Sequence, residues 1–564
     1  MFLIKNGRFS ELELKKIDFS DSIIDFQGFN IALSSSTVKY YVSDEKFIML
    51  LGCAIYNEEL VACEDLESIF GELIKFPEMA ARKLSGRFAF VYISDGVLNV
   101  FSSIFGSYPV YYCNGGEYLS NLETVLADIN KVKPSAKVLS LMIRFYARYG
   151  HELYQGVSRV KYASITRFNE EVETYSYISN LLLADNFKGE STEELLVKLN
   201  ERLLLLLKIY SEKDLRIGLT GGRDSRLLLA MANRLGIENI STYTVGDYKD
   251  IEVKYAKKVA DYYNREHFVF SPDKLDAIAV KKYFRFINNI NFPCLYKSQL
   301  IDFLGLNPRL HLNTAIPETL LCHLDYFQGP SHSYINFIQN RSSKLSGFLT
   351  DCESSKKSVE ENAKKIWDSL VSEVGSTVLV KLIFEQVTYQ REWVYNILKI
   401  GDLSGGTACI FEDSKVLSIL SSIKEEIHLK DQLYKAFVNN FYPEMNLIRS
   451  TRDCDIGSVM KMSKLDPKFY YLLPDAIKND PLEYLVSENI DYLRNDIYES
   501  KDVLYPIFGE KFVDDCLKLT AKGFMYNRIA RFLSRRLGNR VLLNYEIIMP
   551  YCVANIIKNS EDQE

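Results

Sequence analysis

The sequence predicts a protein of mixed class: an α+β N-terminal part built on antiparallel strands, then a parallel α/β part that turns helical toward its C-terminal end. Three observations carry that expectation. From Phe47 to about Ile178, short apolar or alternating runs are broken by turn residues. After about Asn186, strand-length runs alternate with helix-length amphipathic segments, the rhythm of a parallel sheet covered by helices. Beyond about Lys356, helical periodicity dominates. The change of pattern places a boundary near residues 180 to 190, dividing the chain into 1–185 and 186–564, the second part helical beyond about residue 355.

Within the first part, Phe47-Ile48-Met49-Leu50-Leu51, Phe88-Ala89-Phe90-Val91-Tyr92-Ile93 and Val97-Leu98-Asn99-Val100-Phe101 read as strands. Asp95-Gly96 between the last two is a hairpin signal, because both residues tolerate the positive φ that a tight turn between twisted strands needs. In the second part, Leu215 to Leu219 is a short apolar strand, and Arg226 to Leu235 reads as a helix stopped by Gly236. Ile240 to Val245 follows as a strand, Asp250 to Tyr263 as a helix with Ile251, Tyr255, Val259 and Tyr262 on one side, and His267 to Phe270 as a strand. That order implies a β-α-β-α-β unit, whose ligands bind outside the carboxyl ends of its strands. Near the C-terminus, Phe524 to Val541 carries Arg528, Arg531, Arg535, Arg536 and Arg540 at helical spacing, which reads first as a solvated face.

Bulk properties narrow the function classes. At 564 residues the chain is too long for one core and implies about two to four domains. Hydrophobic residues make up 47% and charged residues 25%, and the longest leucine tract, Leu203 to Leu207, is closed by Lys208, so no membrane span is expected. The N-terminus lacks a basic segment followed by a long apolar one, so the expected location is cytoplasmic. Ten cysteines without a Cys-x-x-Cys pair, and six histidines that form no ligand set with them, argue against zinc, iron-sulfur or a disulfide framework. A net charge of −6 and a pI of about 5.8 make nucleic acid an unexpected partner.

The chemistry is carried by Thr220-Gly221-Gly222-Arg223-Asp224-Ser225, between the strand and the helix. Two glycines leave no β-carbons in the way of backbone N–H groups converging on an anion, and the following helix adds its N-terminal partial positive charge. The hydroxyls of Thr220 and Ser225 add donors. No Gly-Lys-Ser/Thr follows, so this is not the loop that cleaves a terminal phosphate, and no Gly-x-Gly-x-x-Gly marks a dinucleotide fold.

These residues resemble the Ser-Gly-Gly-x-Asp-Ser pyrophosphate loop of the ATP pyrophosphatases (the PP-loop superfamily), with Thr220 in place of the first serine. The resemblance implies that ATP is split between its α- and β-phosphates, and that Leu219, Thr220, Gly221, Gly222, Asp224, Ser225 and Val245 bind the nucleotide. It also implies that Asp224 holds Mg2+. The N-terminal part resembles the amidotransferase domain of asparagine synthetases through Leu84-Ser85-Gly86-Arg87-Phe88-Ala89-Phe90, Phe105-Gly106-Ser107-Tyr108-Pro109-Val110-Tyr111-Tyr112 and Ser120-Asn121. The fold so implied is an amidotransferase-like antiparallel β-sandwich with flanking helices, joined to a parallel synthetase domain with a helical C-terminal part. In that family an N-terminal cysteine hydrolyses glutamine, yet here no cysteine occurs before Cys53, and neither Met1 nor Phe2 has a thiol. Gly52-Cys53-Ala54-Ile55-Tyr56-Asn57 keeps the Ile-Tyr-Asn tail of the family's oxyanion segment and loses its Asn-Gly. The expectation is a degenerate glutaminase domain kept as a scaffold, with Cys53 a small buried residue at a strand end.

Further along, His311-Leu312-Asn313-Thr314-Ala315-Ile316-Pro317-Glu318 stands where the family has a second acidic loop, which makes Glu318 the candidate second Mg2+ ligand and catalytic partner of Asp224. Ile410-Phe411-Glu412-Asp413 resembles a Pro-Phe-Leu-Asp segment, where Asp413 either braces the fold or meets substrate. A cation that stabilises the adenylate transition state is expected among Arg449, Arg452, Lys461 and Lys464. The implied activity is an AMP- and pyrophosphate-forming amide ligase, acting on a small molecule or peptide with a carboxylate and an amine. Cyclisation, as in β-lactam synthetases and lasso-peptide cyclases, is one form of it, and the resemblance leaves room for a homodimer. The competing readings are a nucleotide-modifying enzyme that adenylates a tRNA base and a scaffold with a decayed site.

Overall fold

The computed structural model describes residues 2–10, 13, 22–33, 38–182, 187, 189–246, 248, 250–271, 276–287, 294–313, 321, 323–330, 332–342, 349, 353–454, 459–460, 463–464, 467, 489–518 and 548–558. Among the described residues, thirteen strands precede residue 180: β1 (Phe2–Asn6), β2 (Ser22–Phe26), β3 (Phe29–Leu33), β4 (Lys39–Val42), β5 (Phe47–Tyr56), β6 (Glu59–Leu60), β7 (Leu84–Ser94), β8 (Val97–Ser102), β9 (Tyr111–Cys113), β10 (Tyr118–Ser120), β11 (Val157–Arg159), β12 (Ser164–Phe168) and β13 (Val172–Ser176). They form two antiparallel sheets, ordered β11-β9-β10-β1-β3-β2 and β13-β12-β8-β7-β5-β4, with β6 paired to β5.

Phe2, Ile4 and Ile31 of the first sheet share one core with Phe47, Met49, Leu51, Val91 and Val100 of the second, so the sheets pack face to face as a sandwich. The opposite residues of β5 and β7, among them Ile48, Leu50, Phe88 and Phe90, pack with the helices Leu66–Lys75 and Pro77–Lys83. Burial on both faces explains why Phe47 to Leu51 reads as a continuous apolar run rather than an alternating one. Helices Glu123–Asn130 and Ala136–Phe145 cover the outer face of the first sheet through Leu126, Leu139 and Ile143. The hairpin lies where Asp95-Gly96 places it, with φ of 53° and 70° between β7 and β8.

The later strands are β14 (Leu215–Gly218), β15 (Ile240–Val245), β16 (Glu266–Phe270), β17 (Leu310–Leu312) and β18 (Thr407–Ala408). All are parallel, in the order β16-β15-β14-β17-β18. The chain steps outward from β14 to β15 and β16, then returns to build β17 and β18 on the other side, which makes the carboxyl end of β14 the crossover point of the sheet. Among the helices that flank it are α1 (Thr192–Ile209), opened by a Ser191/Glu194 capping box; α2 (Asp224–Arg234); and α3 (Ile251–Tyr262), whose N-cap Asp250 accepts from the Glu252 amide at 2.9 Å.

The structure corrects two expectations and adds one strand to a part expected to be helical. The buried residues of α3 are Ile251, Val253, Tyr255, Ala256, Val259 and Ala260, while Tyr262 is exposed and Tyr263 turns inward, because the 100° step carries the stripe one residue further. Helix α2 starts at Asp224, two residues before Arg226. The region beyond 355 is helical among the described residues except for β18, a two-residue strand too short to leave a periodic signal.

Asp413 braces the fold. It is buried, receives Arg202 at 3.1 and 2.7 Å and Ser85 at 2.7 Å, and caps the helix Ser414–Ser422 by accepting from the Val416 amide at 2.9 Å. Beside it the Gly86 amide donates to the Glu412 carbonyl at 2.8 Å, and Arg87 reaches Asp402 at 2.6 Å. The sandwich is thereby tied to the segment that carries β18. Among the described residues no helix is long and apolar enough to cross a membrane. The stretch from Phe524 to Val541 lies outside the described residues.

Candidate active site

The loop from Leu219 to Arg223 joins β14 to α2 at the crossover of the parallel sheet. Its backbone is anchored before it turns: the Leu219 amide donates to the Tyr243 carbonyl at 2.8 Å, and the Thr244 hydroxyl donates to the Leu219 carbonyl at 2.6 Å. The Leu219 side chain is buried in the core, so only its backbone belongs to the site. Val245, half-buried, ends β15 two residues beyond Tyr243, the partner of Gly218, which sets it beside the loop.

Three loop amides have acceptors. Thr220 N–H donates to Ser225 Oγ at 3.0 Å, Gly222 N–H to Thr220 Oγ1 at 3.1 Å, and Gly221 N–H to Glu252 Oε2 at 2.8 Å. The two hydroxyl oxygens lie 3.3 Å apart. Asp224, half-buried, stands in the first turn of α2, where a carboxylate is favoured by the helix dipole. The loop is thus a turn whose own side chains and one borrowed carboxylate take the hydrogen bonds that an anion would otherwise receive. Gly221 cannot be replaced without movement: a β-carbon there would sit 2.3 Å from Thr451 Cγ2 and 3.0 Å from Glu252 Oε2.

A second segment lies over the loop. Arg226, buried on α2, donates to the carbonyls of Ile448 and Arg449 at 2.6 Å each and of Gly221 at 3.0 Å, while the Thr451 amide donates to the Gly221 carbonyl at 2.9 Å. Arg223 pairs with Asp431 at 2.9 Å and Asp453 at 3.3 Å and receives the Tyr434 hydroxyl on its carbonyl at 3.0 Å. Of the three candidate cations among the described residues, Arg449, Arg452 and Lys464, Arg452 is the one whose charge acts on Asp224. Burial and the neighbouring Arg223 lower its pKa, the carboxylate of Asp224 opposes that, and Asp431 lies 3.9 Å away. Arg449 contributes its carbonyl to the clamp, Lys464 is exposed, and Lys461 and Glu318 lie outside the described residues.

Glu252, Thr451 and Arg226 are members of this site that sequence reasoning missed. Arg226 reads in the sequence only as the start of a helix, and nothing there pairs it with the carbonyls of Ile448 and Arg449.

On the N-terminal side, Phe2 is fully buried in the sandwich core and its amide donates to Asn121 Oδ1 at 3.1 Å. Cys53 is half-buried rather than buried, and lies within β5 rather than at its end, opposite Arg87. It lines a cavity of about 210 Å³ with Tyr108, Lys213, Asp402 and Gly405. Burial, with Asp402 nearby, pushes the Cys53 thiol up to about 11, so it is a poor nucleophile at neutral pH.

A glycine-rich turn between a parallel strand and a helix, at the crossover of the sheet, defines the class: an α/β protein with a glycine turn at the sheet position where such folds bind their ligands. The profile of the asparagine synthase family matches residues 209–304, a span that runs from the end of α1 through β14, the loop, α2, β15, α3 and β16 to the helix Cys294–Gly305. No curated protein matches the chain.

Proposed function

We propose that the chain is an ATP-dependent amide ligase that adenylates a substrate carboxylate and joins it to an amine. The observation that carries the reading is the Thr220–Ser225 turn at the end of β14, inside the span that matches the asparagine synthase family. The β- and γ-phosphates would lie on the amides of Gly221 and Gly222 and on the hydroxyls of Thr220 and Ser225, with Val245 beside the nucleoside.

Asp224 suits Mg2+, which takes oxygen ligands and is content with one or two carboxylates plus phosphate oxygens; bound there, the ion would offset charge on the phosphate tail. A substrate carboxylate oxygen attacks the α-phosphorus, the bond to the bridging β-phosphate oxygen breaks, and pyrophosphate leaves. The amine then attacks the acyl carbon and AMP departs, the amine proton passing to solvent. Arg452 would stabilise negative charge at the reacting phosphate.

The amine reaches this site without glutamine hydrolysis. Phe2 is fully buried in the sandwich core and the Cys53 thiol stays protonated, so neither offers a thiolate to glutamine. The N-terminal part is read as a degenerate amidotransferase-like scaffold spanning residues 1–185.

The test is release of AMP and pyrophosphate by the purified protein with panels of carboxylates and amines, beside Asp224→Ala. Release that depends on a carboxylate and is lost in the variant supports the ligase. Release driven by tRNA alone would transfer the proposal to base modification, and glutamate released from glutamine would overturn the scaffold assignment. One observation favours a second reading, a non-catalytic scaffold: the Glu252 carboxylate already occupies the Gly221 amide. Absence of ATP binding in calorimetry would select it.

A further inference from the structure

A cavity of about 450 Å³ lies away from the nucleotide loop, between the outer face of the first sheet, the helix Glu353–Val374 and the π-helical turn Gln386–Gln390. Its walls combine tyrosines with an unusual density of buried charge. Arg148 pairs with Glu123 at 2.7 Å and with Glu392 at 3.1 Å. Arg159 comes no closer than 3.6 Å to Glu392 and donates to the Gly106 carbonyl. Arg391, which follows the π-helical turn, donates to the Val160 carbonyl at 2.7 Å and has no carboxylate oxygen within 4 Å among the described residues. Behind the Tyr111 ring, 5.5 Å from its centroid, Lys399 is buried with no ion-pair partner among the described residues.

The cations Arg148, Arg159, Arg391 and Lys399 therefore meet two carboxylates, Glu123 and Glu392; of the other charged residues lining the cavity, Lys161 pairs with Glu373 at 3.5 Å and Glu152 accepts from the Gly156 amide at 3.0 Å. The Nε of Arg391 and the Nε and Nη1 of Arg159 are buried without a hydrogen-bond acceptor among the described residues. Buried charges and donors in this state are costly unless something completes them. Burial and mutual repulsion hold Lys399 down at about 7 and Arg391 at about 9. The π-helical turn is a second sign, since such turns are concentrated at functional sites.

We propose that this cavity binds a small molecule through an oxyanion, a carboxylate or a phosphate, held by Arg391 and Arg159 and backed by Lys399, with its body against Tyr111, Tyr149 and Tyr162. Planar guanidinium groups suit both headgroups, which they hold through paired N–H donors. The site does not rest on the ligase reading.

The experiment measures thermal stability of the full chain at pH 6.5 in sodium phosphate or in succinate, against sodium chloride at matched ionic strength. At least one oxyanion is expected to raise Tm saturably, and the arm that does so identifies the headgroup. Arg391→Met and Lys399→Met are each expected to weaken that response at least about tenfold in apparent affinity, as the loss of one charged contact would. Two variants are used so that poor folding of one leaves the other decisive. No saturable response in either arm, or a response undiminished in the variants, as binding at the nucleotide loop would give, overturns the proposal.

Discussion

Glu252 holds the amide of Gly221 that the proposed function assigns to a phosphate oxygen. If the two compete, Glu252→Gln replaces an anionic acceptor with a neutral one and frees the loop for the nucleotide. The expected result is ATP binding tighter by about 3- to 10-fold in calorimetry, the difference between a charged and a neutral hydrogen bond. Weaker binding would instead make Glu252 a positioning residue that shapes the loop. At the same scale, Glu412 is fully buried, and loss of solvation lifts its carboxyl to about 7. A raised carboxyl pKa means that the folded chain keeps a proton the unfolded chain has released. Its contribution to stability is therefore largest below about 4.5 and is lost as pH rises toward 7. Glu412→Gln should match the wild type at pH 5 and exceed it at pH 8, by on the order of 2–3 kcal/mol in urea unfolding. An equal difference at both pH values would show that the group ionises normally.

At the scale of elements, the glycine loop works only as a pair with the segment from Ile448 to Asp453. Arg226 and Thr451 hold that segment against the backbone of Gly221, close enough that a β-carbon collides with Thr451 Cγ2. Gly221→Ala is expected to cost about 1–3 kcal/mol by overpacking, and adding Thr451→Ser, which removes the clashing methyl group, should return most of it in urea titrations. No recovery would mean that the loss lies in the loop itself. The strand, the glycine turn and the first turns of α2 were legible in the sequence because each is a local pattern: an apolar run, a residue pair without β-carbons, then a 3.6-residue stripe. β17 and β18 were not, since strands of three and two residues carry no periodicity and exist by pairing with β14 and with each other.

For the molecule as a whole, the sandwich and the parallel sheet are joined through buried charge. Arg87, fully buried on β7, reaches Asp402 at 2.6 Å, while Ser85 and Arg202 meet at Asp413. Removing one partner of such a pair strands the other, so Arg87→Met should lower stability by about 2–4 kcal/mol, whereas Arg87→Met combined with Asp402→Leu should recover most of that loss. Differential scanning calorimetry reads both. A single mutant that unfolds like the wild type would show that the pair contributes nothing across the junction.

The sequence by itself determined the class of fold, the hairpin at Asp95-Gly96 and the position of the glycine turn after β14, because turn chemistry and hydrophobic period act over neighbouring residues. Only the tertiary structure decided that Asp413 is a brace, that the charge of Arg452 acts on Asp224, that Glu252 sits on the Gly221 amide and that Arg148, Arg159, Arg391 and Lys399 gather around Glu123 and Glu392. Those are meetings of residues far apart in the chain. Which distant charges end up together depends on how whole layers pack, and no local pattern encodes it.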